Sequence, residues 1–473
     1  MQILYTAFES APFIKTGGLG DVAEALPAAV KSIKGDDVRV MLPKLKSIPK
    51  EYTDKMQFIT SFDVPLSWRR EYCGIFSLDY KGVTYYFLDN ERYFFRDKPY
   101  GEFDDAERMA FFSKAVLEST LYLDDFAPDI LHANDWHTAL TCVYIKEQYK
   151  ETKLSKTKTV FTIHNLKFQG VFGAEIMGDV IGLPWTDETA KLLCNGEYGP
   201  AINLLKGAII YADRVTTVSP SYAEEICLDY YGEGLSDVLS GCRDKLSGIL
   251  NGINNDLWNP AKDEYIDVKF TARGISKKAK NKLALQKELG LSEDADIPMF
   301  AVISRLTEQK GLDLLTYILP HIEESRMQLV VLGVGDYKYE EAFSWYANYM
   351  PEKFAALIKF DNVLSHRLYA AADCILIPSR FEPCGLTQMI AMRYGTLPLV
   401  RETGGLKDTV NNENGFSFKT FNAGDMQYTL DCALDIWFNN KDEWKRKMKN
   451  AMAEDFSFVH SAEKHLELYN GML

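Results

Sequence analysis

Short, nearly continuous apolar runs recur along the chain, and stretches with helical spacing separate them. The first run is Ile3-Leu4-Tyr5-Thr6-Ala7-Phe8; Val38–Leu42, Asp129–His132, Val160–Ile163 and Val215–Val218 follow. Strands that are apolar on both faces suit a sheet covered on both sides by helices. The intervening patterns predict helices at about 20–33, 105–123, 136–149 and 221–229. The second half repeats the style, with strands expected at Met299–Ser304, Leu329–Leu332, Ala356–Ile358 and Cys374–Ile377, and helices near 310–319, 338–349, 365–371 and 385–394. Strand–helix alternation implies parallel, doubly wound α/β sheets.

The cluster Asn251-Gly252-Ile253-Asn254-Asn255-Asp256, followed by Trp258-Asn259-Pro260, breaks regular structure between the halves. It places a boundary near 245–262 and divides the chain into domains 1–250 and 251–455. The lysine-rich run Lys277–Lys282 is expected to form the solvated face of a helix. The segment 456–473 also has helical spacing.

Composition narrows the classes. The 473 residues are 47% hydrophobic and 25% charged, which is ordinary globular chemistry. A net charge of −14 argues against a general nucleic-acid or membrane-surface binder, but a local basic cluster can still hold an anionic small ligand. No apolar stretch reaches the roughly 18 residues of a membrane span, and Glu9 interrupts any signal-type apolar region. The eight cysteines form no C-x-x-C pair and read as reduced thiols of a cytoplasmic protein; the seven histidines show no zinc spacing, so no metal site is expected.

Five clusters that could carry chemistry all sit where strands end, the edge at which such sheets bind ligands. Lys15-Thr16-Gly17-Gly18-Leu19-Gly20 offers unobstructed backbone N–H groups near a helix start, plus one cation. By itself a plain tight turn is as good a reading. The tetrad T-G-G-L recurs at Thr403–Leu406, again between a strand and a helix. Ser304–Gly311 places Arg305 and Lys310 in one turn, where a fork of donors and a point charge can converge on a diphosphate. Two solvated basic residues would be the commoner arrangement elsewhere; the strand end favours the ligand. Pro378–Thr387 fixes Glu382 in a turn shaped by Pro383 and Gly385, with the N–H groups of Cys384, Gly385 and Leu386 opening the next helix. Helix capping is the alternative for Glu382. The last two clusters are Leu131–Thr138, with Asp135 and Trp136, and Phe161–Leu166, with His164 and Asn165. An acid beside an aromatic suits a carbohydrate site.

Taken in order, these motifs resemble the bacterial glycogen synthases and plant starch synthases over essentially the whole chain. Lys15–Leu19 and Arg380–Leu386 are the most specific of them. The resemblance implies the GT-B fold, two Rossmann-like domains facing a deep cleft, with the final helix crossing back to the first domain. It implies a retaining hexosyltransferase that moves glucose from ADP-glucose to the non-reducing end of an α-1,4-glucan, without metal or other cofactor. Arg305 and Lys310 would neutralise the diphosphate. Lys15, with Thr16, Gly17 and Gly18, would approach the phosphates and glucose. Glu382 would orient the donor sugar, the amides of Cys384, Gly385 and Leu386 would contact it, and Thr387 would reach a phosphate. His164 would sit beside the reacting carbon; Asp135, Trp136 and Asn165 would line the glucose and acceptor region, and Asp21 and Asn251 the site. Phe360 stands where the family often has a tyrosine against the base. Rival readings are a related transferase using UDP-glucose or another acceptor, a non-catalytic glucan-binding protein, and a nicotinamide dehydrogenase. The missing G-x-G-x-x-G counts against the last.

Overall fold

The computed structural model describes residues 1–473. The chain forms two compact units, Met1–Gly252 with Phe458–Leu473, and Ile253–Ser457. It therefore passes between units twice, at 252/253 and at 457/458.

The first unit is built on a nine-stranded sheet. In spatial order the strands are Leu246–Gly248, Arg214–Thr217, Lys158–Ile163, Ile130–Asn134, Gln2–Thr6, Asp37–Pro43, Val83–Asp89, Arg69–Tyr80 and Gln57–Leu66. The first seven are parallel, as the buried apolar runs among them suit. The last two add an antiparallel hairpin that the sequence pattern did not announce. Its turn, Ser67-Trp68, lacks glycine and asparagine, although Ser67 takes a positive φ of 54°. The chain order reverses beside the central strand Gln2–Thr6, which is the switch point where loops diverge and leave a crevice. Helix Gly18–Lys34 buries Leu19, Val22, Ala23, Leu26 and Val30 on one face and ends at Gly35 in the left-handed region. Against it packs helix Phe458–Asn470, which buries Phe458, Ala462, Leu466 and Tyr469 in the first unit's core.

The second unit has six parallel strands in the order Phe354–Leu357, Gln328–Leu332, Met299–Ile303, Cys374–Ile377, Leu397–Arg401 and Phe416–Phe418. Its switch point lies between Met299–Ile303 and Cys374–Ile377. One expectation fails here. Lys278 and Lys282, on helix Lys278–Leu289, are buried rather than solvated. Lys278 Nζ donates to Tyr369 O, Ala370 O and Thr396 Oγ1 at 2.7–3.0 Å, satisfying carbonyls of the helix Asn362–Ala371. Lys282 Nζ meets Asp373 at 2.6 Å. Burial pushes the Lys278 amine down to about 7. A buried amine is tolerated only with all its donors used, and sequence spacing cannot reveal carbonyls supplied from so far along the chain.

Candidate active site

In the second unit, the loops that follow the two switch-point strands meet. Lys310 closes a short 3-10 turn, Glu308–Lys310, and its Nζ reaches Glu382 Oε2 at 2.6 Å. Ser379 Oγ donates to the same oxygen at 2.9 Å. Glu382 is only 7% exposed, so its direction is set by these two donors; it does not cap a helix. Gly311 makes this approach possible. Its φ is 67°, and a Cβ there would fall 1.8 Å from Pro378 O. From the other side, Gly404 lies so near the Glu382 carbonyl that a Cβ would sit 2.0 Å from its oxygen, and the N–H of Gly405 donates to it at 3.1 Å. The second T-G-G-L thus braces the Glu382 turn with its backbone.

Gly385, at φ 73°, carries the turn onward, and Gln388 Nε2 fastens it to Cys384 O and Gly385 O. Lys310, Glu382, Ser379, Gly385, Leu386 and Thr387 line one cavity. The Thr387 hydroxyl also hydrogen-bonds Tyr369. Cys384 is buried. Arg305 is exposed on the same loop as Lys310 and makes no ion pair, whereas Lys310 is turned to Glu382. Phe360 is 89% exposed, just before helix Asn362–Ala371.

In the first unit three loops leave adjacent strand ends. The Lys15–Gly18 loop follows Gln2–Thr6; Lys15, Thr16, Gly17 and Gly18 are all exposed. Lys15 Nζ pairs with Asp21 at 2.8 Å. The loop is held from beneath by Glu9, 3% exposed, whose Oε2 accepts from both Thr16 N and Thr16 Oγ1 at 2.6 Å. Burial raises the Glu9 carboxyl above its ordinary range. Sequence reasoning gave Glu9 no role. The available signal was one carboxylate after an apolar run, three residues past the strand Gln2–Thr6 and ahead of the glycine loop.

The next loop begins with Asp135, buried at a φ of 56°. Its Oδ1 accepts the His164 N–H at 2.7 Å, and the carboxylate also takes the Asn165 N–H, which ties this strand end to the next. Burial nevertheless lifts Asp135 to about 7. Trp136 packs between His137 and Phe172. The His164 ring is half-buried, and its Nε2 is 2.9 Å from Asn134 Oδ1. Desolvation pushes it down to about 3, and His137 likewise. His164, Asn134 and Asn251 line a second cavity.

Two Rossmann-like α/β units thus carry charged and polar loops at their strand ends, the layout that the sequence resemblance implies. Comparison with known proteins gives the particular family. Residues 2–241 match the starch synthase catalytic domain, and residues 285–452 match glycosyl transferases group 1. The chain is 47% identical over 484 residues to a glycogen synthase of Clostridium novyi (strain NT), covering 100% of this chain and 99% of that one. It is 46% identical over 481 residues to a glycogen synthase of Bacillus cereus (strain B4264), covering all of both. The catalytic domain of starch synthase IV from Arabidopsis thaliana, solved bound to ADP and acarbose, superposes with a TM-score of 0.91 at 35% identity, covering 100% of this chain and 99% of that one. Sucrose-phosphate synthase from Thermosynechococcus elongatus, at 16% identity and a TM-score of 0.64 over 100% of this chain and 99% of that one, shares the fold. The chain belongs to the glycogen and starch synthase family of glycosyltransferases. No helix is long and apolar enough to cross a membrane.

Proposed function

We propose that the protein transfers glucose from ADP-glucose to the non-reducing end of an α-1,4-glucan, with retention of configuration, in the cytoplasm. The observation that carries this reading is the Lys310–Glu382 pair at a strand-end switch point, in a chain whose relatives are glycogen synthases over their full length. A sugar nucleotide brings its own leaving group, so the protein must stabilise charge on the diphosphate and on an oxocarbenium-like carbon. In this reading Lys310 is a cation held ready by Glu382 until the diphosphate arrives, and Arg305, free on the same loop, joins it there. These two cations take the role a divalent metal would otherwise fill, so no metal or other cofactor is needed. Cys384, Gly385, Leu386 and Thr387 bind the donor through amides and one hydroxyl, and Phe360 offers a face for the base. In the first unit Lys15, with Thr16, Gly17, Gly18 and Asp21, approaches the phosphates. His164 and Asn251 hold the glucose, and Asp135, Trp136 and Asn165 shape the glucose and acceptor region. Exclusion of water would limit hydrolysis of the donor.

The test is incorporation of labelled glucose from ADP-glucose, and in parallel UDP-glucose, into glycogen in the presence of EDTA. Incorporation from ADP-glucose that survives EDTA is the expected result. Incorporation only from UDP-glucose overturns the donor, and loss with EDTA overturns the metal-free account. Incorporation from neither donor overturns the reaction.

A further inference from the structure

We infer that Asn134 is a positioning residue: it fixes His164 as the neutral Nε2–H tautomer and so reserves Nδ1 as an acceptor for a hydroxyl of the transferred sugar. The inference rests on the reading above that His164 faces the donor glucose.

The geometry runs from the backbone outward. Asn134 is fully buried, and its Nδ2 donates to Thr6 O at 3.0 Å and to His132 O at 3.4 Å. Carbonyl oxygens only accept, so the amide nitrogen is fixed on that side. Oδ1 therefore faces the other way, where it accepts from Tyr5 OH at 2.9 Å and lies 2.9 Å from His164 Nε2. An amide oxygen cannot donate, so the proton of this contact belongs to the imidazole, at Nε2. Nδ1 is left as the second ring nitrogen, with no partner in the protein, on a side chain that lines the cavity.

The surroundings keep that nitrogen unprotonated. From the strand Gln2–Thr6 comes the Tyr5 hydroxyl, and from Ile130–Asn134 comes His132, held by Tyr469 OH and Thr162 Oγ1 at 2.6 Å each. From the helix Phe458–Asn470 come His465 and Tyr469. The turn after Asn134 brings His137, and Asn251 follows the strand Leu246–Gly248. Burial holds His132, His137 and His465 below the ordinary imidazole range, so these three rings put no positive charge beside it. The neighbouring carboxyl of Asp135 takes the backbone N–H of His164. A neutral acceptor suits the proposed reaction. It can receive a sugar hydroxyl and adds no positive charge beside a carbon that becomes cationic in the transition state. Which nitrogen carries the proton is set by the partner of the other, and that partner here is Asn134.

Two measurements test this on the full chain. Nitrogen NMR of histidine-labelled enzyme, with the His164→Gln variant to identify the signal, should show His164 as the Nε2–H tautomer across pH 5–9. Addition of ADP-glucose should perturb Nδ1 more than Nε2. An Nδ1–H tautomer or an imidazolium in that range overturns the inference, whatever the activity. Second, Asn134→Asp keeps the shape but places a carboxylate on Nε2 and favours the imidazolium. Its kcat should fall roughly ten- to a hundredfold near pH 6 and recover as pH rises, with KM for ADP-glucose little changed. A loss that is the same at every pH overturns the tautomer account. If that variant does not fold, the wild-type spectrum decides. A wild type inactive with ADP-glucose overturns the functional reading, while the spectrum still reports the tautomer.

Discussion

The cavities of the two units meet their chemistry in opposite electrostatic styles. In the second, an ammonium and a carboxylate touch at 2.6 Å beneath a nearly buried turn. In the first, the groups lining the cavity beside His164 are neutral: burial pushes His164 to about 3, and amides and hydroxyls do the positioning. The difference follows from what each is proposed to hold. A diphosphate needs counter-charge, and an ammonium already paired with a carboxylate is oriented before the ligand comes. A sugar needs acceptors and donors of fixed direction, and a cation beside its reacting carbon would work against the transition state.

The largest test of this contrast removes the charged pair. Lys310→Ala and Glu382→Ala should each lower kcat by about a hundred- to a thousandfold, the scale of a lost transition-state electrostatic contact of roughly 2.7–4 kcal/mol. The double variant should lose far less than the product of the two, because the residues act as a unit. Multiplicative losses in steady-state kinetics would show that they work separately. Circular dichroism should report both single variants as folded.

A smaller effect tests the neutrality of the surroundings of His164. Asp135 has a folded-state pKa of about 7 against an unfolded value near 3.9. The folded chain therefore binds more protons between these pH values, and this residue's contribution to stability falls as pH rises from about 4 to about 7. Urea midpoints measured across that window should decline less steeply in Asp135→Asn than in the wild type. An equal slope would mean that Asp135 titrates normally.

Lys278 tests whether buried charge in the second unit extends beyond its site. Lys278→Met should destabilise the fold by about 1–3 kcal/mol, because two carbonyls and the Thr396 hydroxyl lose their donor. The amine's folded-state pKa of about 7 lies below its unfolded value near 10.4, so the wild type gains stability from this residue as pH rises from about 7 to about 10. That gain should vanish in the variant. Denaturant curves at pH 7 and pH 10 check both statements. The smallest effect belongs to the first unit. Tyr469→Phe removes one hydrogen bond, to His132, and should lower stability by about 1 kcal/mol with kcat unchanged.

These sites differ in how far the sequence disclosed them. Strand-end position singled out Lys310 and Glu382, because each follows a buried strand and precedes a glycine or proline that shapes a turn; that the two would pair was not legible. The parallel sheets were legible for the same reason. The hairpin Gln57–Tyr80 was not, because its turn lacks the residues that usually mark one. Glu9, Asn134 and Lys278 escaped for a different reason. Each is defined by a partner: Thr16 seven positions away for Glu9, Thr6 and Tyr5 for Asn134, and Tyr369 and Thr396 for Lys278. Local pattern names residue types; it does not name the carbonyl that arrives from another strand.

The chain's double passage between units carries a consequence for synthesis. Phe458, Ala462, Leu466 and Tyr469 complete the core around Gly18–Lys34, yet the ribosome delivers them only after all of Ile253–Ser457. The second unit is whole before the first can be. During translation the helix Gly18–Lys34, made long before Phe458, waits with an apolar face uncovered, and a chain stopped short of Phe458 would leave that face open, a target for chaperones and proteases.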